Sequence, residues 1–172
     1  AGAETSLDLR GVCVGDAVWL LDPAQWGERP SDAELCALLS HELAHALWHQ
    51  CAAAPAGGPT AGMPTWFREG FAVVVAEGPP QAAAIRRLNA LDLADAAYAD
   101  DTRIGELGSL LYVAAAYAFH RWHGQFGRRG LAALQRELRR GEPFARAFLR
   151  VCAVSDRAFI ADLHARLACG QL

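Results

Sequence analysis

No apolar run in this 172-residue chain approaches the ~20 residues that a membrane-crossing helix needs. A basic leader followed by an apolar stretch is missing too, so no signal peptide is visible. Neither an internal repeat nor a long low-complexity tract divides the chain, which leaves one domain over residues 1–172. Charge of one sign is not in excess: the formal net charge is -3, and this removes the electrostatic case for nucleic acid or an anionic membrane. Arg128, Arg129, Arg136, Arg139 and Arg140 do cluster, but Glu137 and Glu142 lie among them, as on the solvated face of a helix. The chain opens on Ala1 without Met, the pattern of a processed form or an excised piece, which leaves export open. Against these absences stands an apolar content of 53%, enough for one sizeable core. Cys13, Cys36, Cys51, Cys152 and Cys169 do not settle the redox compartment. Cys152 and Cys169 flank a candidate C-terminal helix and can pair; buried thiols are the equal alternative.

The feature that carries chemistry is His41-Glu42-Leu43-Ala44-His45, an H-E-x-x-H run. On a helix of ~3.6 residues per turn and ~1.5 Å rise, positions 41 and 45 share a face about 6 Å apart, so both imidazoles reach one ion. Glu42 falls beside that face, where its carboxylate can take a proton from a metal-activated water. Composition alone would produce such a run on the order of once per hundred chains like this one, so its context has to carry the assignment.

That context is a helix. Ser31-Asp32-Ala33-Glu34 is a capping box after Pro30 and fixes a start near residue 32. Leu35, Leu38, Leu39, Leu43, Leu47 and Trp48 then recur at steps of three and four, predicting a broad buried face on a helix over 32–51.

A catalytic zinc takes three protein ligands and a water. Pro64-Thr65-Trp66-Phe67-Arg68-Glu69-Gly70-Phe71-Ala72 offers Glu69, an acid embedded in apolar residues, on a second helix over 65–76 that Gly78-Pro79-Pro80 must end. A metzincin would have Gly at 48 and His at 51, where this chain has Trp48 and Cys51. His49 lies ~12 Å along the axis from His41, too far to share its ion, and suits the helix C-terminus. Cys13 and Cys36 precede the motif outside any deformylase-like setting.

The pair of motifs resembles the gluzincin metallopeptidases, and within them the peptidase MA-like and aminopeptidase N-type catalytic domains, whose second metal helix carries W-[LF]-x-E-G-[FL]-A. The resemblance implies that Glu69 is the third ligand of one Zn²⁺ per chain, with His41 and His45. It also implies a zincin-like domain, α+β but mainly α: a small N-terminal β element at 5–22, an active-site helix, and a helical subdomain over 80–170. The stretch 110–119, followed by Phe126-Gly127, is similar to the tyrosine-bearing helix of these enzymes. By that likeness Tyr112 donates to the oxyanion, with Tyr117 as alternative and His120 and His123 as further donors. Each tyrosine is equally readable as a core residue with a satisfied hydroxyl. Relatives of this type are frequently exported, which favours an extracytoplasmic setting.

Residues 5–22 read as a hairpin with strands at 6–14 and 17–21 around Gly15-Asp16. Trp19 and Leu20, just before the metal helix, stand where zincins bind extended peptide by β-addition; an ordinary core strand is the even alternative. Pro55 to Pro64, with Gly57, Gly58 and Gly62, is a loop. Further helices are expected at 80–90, 108–123, 128–140, 143–151 and 156–168, the last capped by Ser155. Asp92, Asp95, Asp100 and Asp101 match no calcium loop and read as solvated.

The expected chemistry is zinc-assisted hydrolysis of a peptide or protein, with Glu42 as base and then as acid to the leaving amine, and Tyr112 at the oxyanion. The G-x-M-E-N motif for a free substrate amine is absent, so endopeptidase action is expected by elimination. The position four after Glu69, an Asp in thermolysin-like relatives, is Val73, so the group that orients the histidines is not evident. A zinc-stabilised binding module and a zinc hydrolase of a non-peptide amide stay open as alternatives.

Overall fold

Two residues start the first long helix. In the computed structural model, which describes residues 11–14, 17–25, 29–51, 62–100, 103 and 107–171, the Ser31 N–H donates to Glu34 Oε2 at 2.7 Å. The Glu34 N–H returns the bond to Ser31 Oγ at 3.3 Å. This reciprocal cap satisfies donors that the first turn would otherwise leave open. Helix α1 follows as Asp32–Cys51, over the expected span. Before it, β1 (Gly11–Val14) and β2 (Ala17–Leu20) form an antiparallel hairpin, with Gly11 opposite Leu20 and Val14 opposite Ala17. The expected strand residues 6–10, the Gly15-Asp16 turn and residues 55–61 of the loop expected over 55–64 lie outside the described residues.

Helix α2 spans Thr65–Glu77 and stops at Gly78, whose φ of +84° suits glycine and which precedes Pro79-Pro80. The expected helix over 80–90 is only α3, Ala82–Ile85. Helix α4 begins where that span was to end, at Ala90–Ala97, within the segment read as solvated. Its cause is a second reciprocal cap: the Asn89 N–H donates to Asp92 Oδ2 at 3.0 Å and the Asp92 N–H donates to Asn89 Oδ1 at 3.1 Å. Asp92 is thus a capping group, and α4 buries Leu93, Ala96 and Ala97. Asp101 lies outside the described residues.

Helix α5 runs Ser109–Arg139 and bends at Gly127, where φ is +60°. The two helices expected at 108–123 and 128–140 are therefore joined through residues 124–126, and glycine marks the break between them. Helices α6 (Phe144–Cys152) and α7 (Asp156–Ala168) complete the chain; Ser155 Oγ accepts from the Ala158 N–H at 3.1 Å, as an N-cap should. The described architecture is mainly helical with one two-stranded sheet. No helix among the described residues is long and apolar enough to cross a membrane. Arg128, Arg129, Arg136, Arg139 and Arg140 are all exposed, and Arg140 pairs with Glu137 at 2.8 Å.

The centre of the molecule is α2, which packs most extensively on α5 and next on α1. Phe67 is fully buried, with the rings of Trp48, Trp66, Phe119, Trp122 and Phe144 around it at centroid distances of 5.0–5.4 Å. Edge-to-face pairs of this kind add to what the buried area itself contributes. Gly70 lets α2 and α5 touch: a Cβ there would collide with the Ala115 carbonyl and the Phe119 Cβ.

Two expectations are corrected. Of the six apolar residues expected to face the core on α1, only Trp48 is buried; Leu35 and Leu38 are half-buried, and Leu39, Leu43 and Leu47 are exposed. The face turned to α2 carries Ala44 and Trp48 with the two histidines, so the leucine strip at four-residue steps points elsewhere. Cys152 and Cys169 do not pair: Cys152 is buried, its Sγ accepting from Trp122 Nε1 at 3.3 Å, and Cys169 is exposed beyond α7.

Candidate metal centre

One turn of α1 brings the His41 and His45 side chains together, and α2, packed against that face, places Glu69 opposite them. His41 Nε2 and His45 Nε2 lie 3.2 Å apart, and each is 3.4 Å from Glu69 Oε2. A four-coordinate zinc with bonds of ~2.0–2.1 Å holds its ligand atoms about 3.3–3.4 Å apart. Two imidazole nitrogens and one carboxylate oxygen at these separations therefore fit such an ion in both chemistry and spacing. His49 is not part of the group.

The carboxylate is tied down from its other side. Arg68 Nε donates to Glu69 Oε1 at 3.0 Å, which leaves Oε2 for the histidines. Burial opposes charge on Glu69, yet hydrogen bonds with His41 and His45 and the charges of His45 and Arg68 outweigh it and hold the carboxyl far below its ordinary range. Arg68 is a residue that sequence reasoning passed over. Its adjacency to Glu69 carried no signal, because neighbouring helix positions do not usually face each other. Val73, the fourth residue on, lines the cleft and supplies no polar partner, and His45 Nδ1 is buried without a hydrogen bond among the described residues.

Glu42 is only 6% exposed, makes no hydrogen bond to a described residue, and opens onto the same cleft as His41. Burial raises its pKa, offset in part by His41 and His45 and reinforced by Glu69. Strand β1 crosses directly over it: a Cβ on Gly11 would lie 3.1 Å from Glu42 Cγ. Gly11 was also missed, although a glycine in a strand often marks such a close approach. The cleft wall on this side is Gly11 of β1 rather than Trp19 or Leu20, which sit on β2 at 65% and 43% exposure.

Of the two candidate tyrosines, Tyr112 is beside the site. Its ring is 6.1 Å from that of His41, edge to face, and it lines the cleft. Burial, then the charges of Glu69 and Glu42, raise its pKa against the opposing effect of Arg68, so its hydroxyl stays protonated at neutral pH. Tyr117 is 2% exposed in the core, its hydroxyl without a partner among the described residues. His120 is exposed, His123 stacks on Phe119, and neither lines the cleft.

His41, Glu42 and Tyr112 line a cleft of about 690 Å³ between α1, α2 and α5. That volume falls within the usual range for a small-molecule or peptide-segment site. The arrangement can hold a divalent cation, present a nearby carboxylate to a proton, and offer a neutral hydroxyl donor. No known protein family, curated protein or solved structure matches the chain.

Proposed function

We propose that this protein is a zinc-dependent peptidase of the gluzincin type, cleaving peptide bonds with a preference for internal positions. The observation that carries the reading is the trio His41, His45 and Glu69 at 3.2–3.4 Å, with buried Glu42 facing the same cleft. His41, His45 and Glu69 would hold the zinc, and Arg68 keeps the Glu69 carboxylate in its ligating orientation. Bound there, zinc supplies a Lewis acid and lowers the pKa of a water towards ~7.

The chain's own residues supply the rest. Glu42 accepts a proton as the water adds to the scissile carbonyl and delivers it to the departing amine, a shuttle that one mobile carboxyl can serve twice. The Tyr112 hydroxyl, kept neutral by its surroundings, donates to the oxygen on which charge develops. Gly11 brings the β1 backbone against Glu42, so the hairpin limits where that carboxylate can swing.

The test pairs two variants with the wild type. Elemental analysis should find about one zinc per wild-type chain and a sharp loss in Glu69→Ala. Glu42→Gln should retain zinc while peptide cleavage falls by at least about a hundredfold, the scale of general acid–base catalysis. Full zinc in Glu69→Ala would mean that the ligand set is wrong. Zinc in wild type with no cleavage of any library peptide would leave a zinc-stabilised binding module instead.

A further inference from the structure

The near balance of charge over the whole chain averages two unlike parts. Residues 1–120 hold six arginines and fifteen acids, whereas residues 121–172 hold ten arginines and four acids, and the chain has no lysine. Much of the basic excess gathers on one face of α5, beyond its bend at Gly127. At ~100° per residue, Arg128, Arg129, Arg136, Arg139 and Arg140 fall within about 120° of the helix circumference, with Ala132 among them. All six residues are exposed. Glu137 turns away from this face and is only 9% exposed, and Glu142 follows the helix.

The two acids nearest in sequence are spent elsewhere. Glu137 binds Arg140 at 2.8 Å and also Arg150 of α6, while Glu142 binds Arg150 at 3.4 Å and Arg146 at 3.5 Å. Arg128, Arg129 and Arg136 make no ion pair with a described residue. Like charges three and four residues apart on a helix repel, as Arg136 does with Arg139 and Arg140, so the bare face destabilises its own helix. An anionic partner turns that repulsion into attraction.

We propose that this arginine face of α5 docks on the phosphate backbone of duplex DNA. Planar guanidinium forks match phosphate oxygens bidentately. The five side chains form two rows roughly a quarter turn apart, Arg128 with Arg139 and Arg129 with Arg136 and Arg140. The major groove of B-form DNA is ~12 Å wide, about the diameter of a helix with its side chains, so a helix laid along it turns one row towards each strand's phosphates. Other occupants fit less well. Ala132 is the one apolar side chain on the face, too small to anchor it in a lipid surface. No aromatic ring stands there to stack on unpaired bases. The acids of a second copy are held in local caps and turns, as Asp22, Glu34, Asp92 and Asp100 are. The inference is independent of the peptidase reading.

Anisotropy of a fluorescently labelled duplex of mixed sequence, titrated with the purified protein, provides the test. A dissociation constant in the micromolar range is expected at ~50 mM salt. Each phosphate neutralised contributes about 0.9 to the fall of log K with log salt, so the three unpaired arginines give a slope of about −2.7. Arg128→Gln/Arg129→Gln/Arg136→Gln should bind about tenfold more weakly or worse and lose that part of the slope. Arg128→Lys/Arg129→Lys/Arg136→Lys keeps the charge and should keep the slope. Glutamine and lysine have nearly the helix propensity of arginine, so circular dichroism and zinc content should be unchanged in both variants. No binding to the duplex at low salt overturns the proposal, and so does binding that the glutamine variant leaves intact. Tighter binding to single-stranded DNA, to phosphatidylglycerol vesicles or to polyglutamate than to the duplex also overturns it and assigns the face to that polyanion.

Discussion

The two helices that build the site are held in opposite ways. Helix α2, which carries Glu69, is buried from Thr65 to Val73 except at Arg68, whose side chain is spent on Glu69 itself. Helix α1, which carries His41 and His45, leaves Leu39, Leu43 and Leu47 at 41%, 52% and 42% exposure. The His41–His45–Glu69 trio therefore lies on a seam between a closed aromatic core and an open face. Its carboxylate is fixed by tertiary packing on all sides; its histidines are fixed by helix geometry and by packing on one side. A carboxylate has to be brought to the site from elsewhere in the sequence, and that requires a rigid frame. Two histidines one turn apart are already aligned by the helix they share.

The comparison breaks most severely at Phe67. Truncation to alanine removes the ring that Trp48, Trp66, Phe119, Trp122 and Phe144 surround, and a loss of about 3–5 kcal/mol is expected. Chemical denaturation measures it, and a loss below about 1 kcal/mol would mean that α2 is not the centre of the core. Gly70→Ala should rank next. The neighbour a new Cβ meets is the Ala115 carbonyl, which is backbone and cannot turn aside as a side chain can. Overpacking of this kind lies near the upper end of its usual range, about 3 kcal/mol. Because Glu69 precedes Gly70, forcing α2 from α5 should also lower zinc retention. Elemental analysis of the folded variant reads that effect, and unchanged zinc would show that the carboxylate tolerates a shift of its helix.

What was legible in the sequence follows the same division. The capping box at Ser31, the N-cap at Ser155, the proline and glycine stops after α2 and the i, i+4 histidines are local patterns, and local patterns survive without knowledge of neighbours. Glu69 and Tyr112 were named by resemblance, and the folded chain sets both beside the histidines. The burial of α1 was not legible: leucines at four-residue steps predict an apolar strip, but only the packing of α2 decides which strip is covered. The Asn89–Asp92 cap was overlooked because both residues favour turns as strongly as helix starts, so α4 was read as solvated chain. Gly11 acts across elements on Glu42, and Arg68 turns its side chain onto its own helix neighbour Glu69; a single sequence carries little trace of either pairing.

The smallest expected effect tests the open side. Leu43 lies in the middle of the exposed strip on α1, and glutamine has nearly the helix propensity of leucine, so Leu43→Gln changes apolar contact and little else. With the side chain half in solvent, unfolding free energy should move by no more than about 0.5 kcal/mol, and zinc content should be unchanged. A loss approaching that of a buried leucine, about 2 kcal/mol or more, would show that the strip is covered in solution. In that case both metal helices would be held on all sides, and the contrast between a carboxylate fixed by its surroundings and histidines fixed by their own helix would disappear.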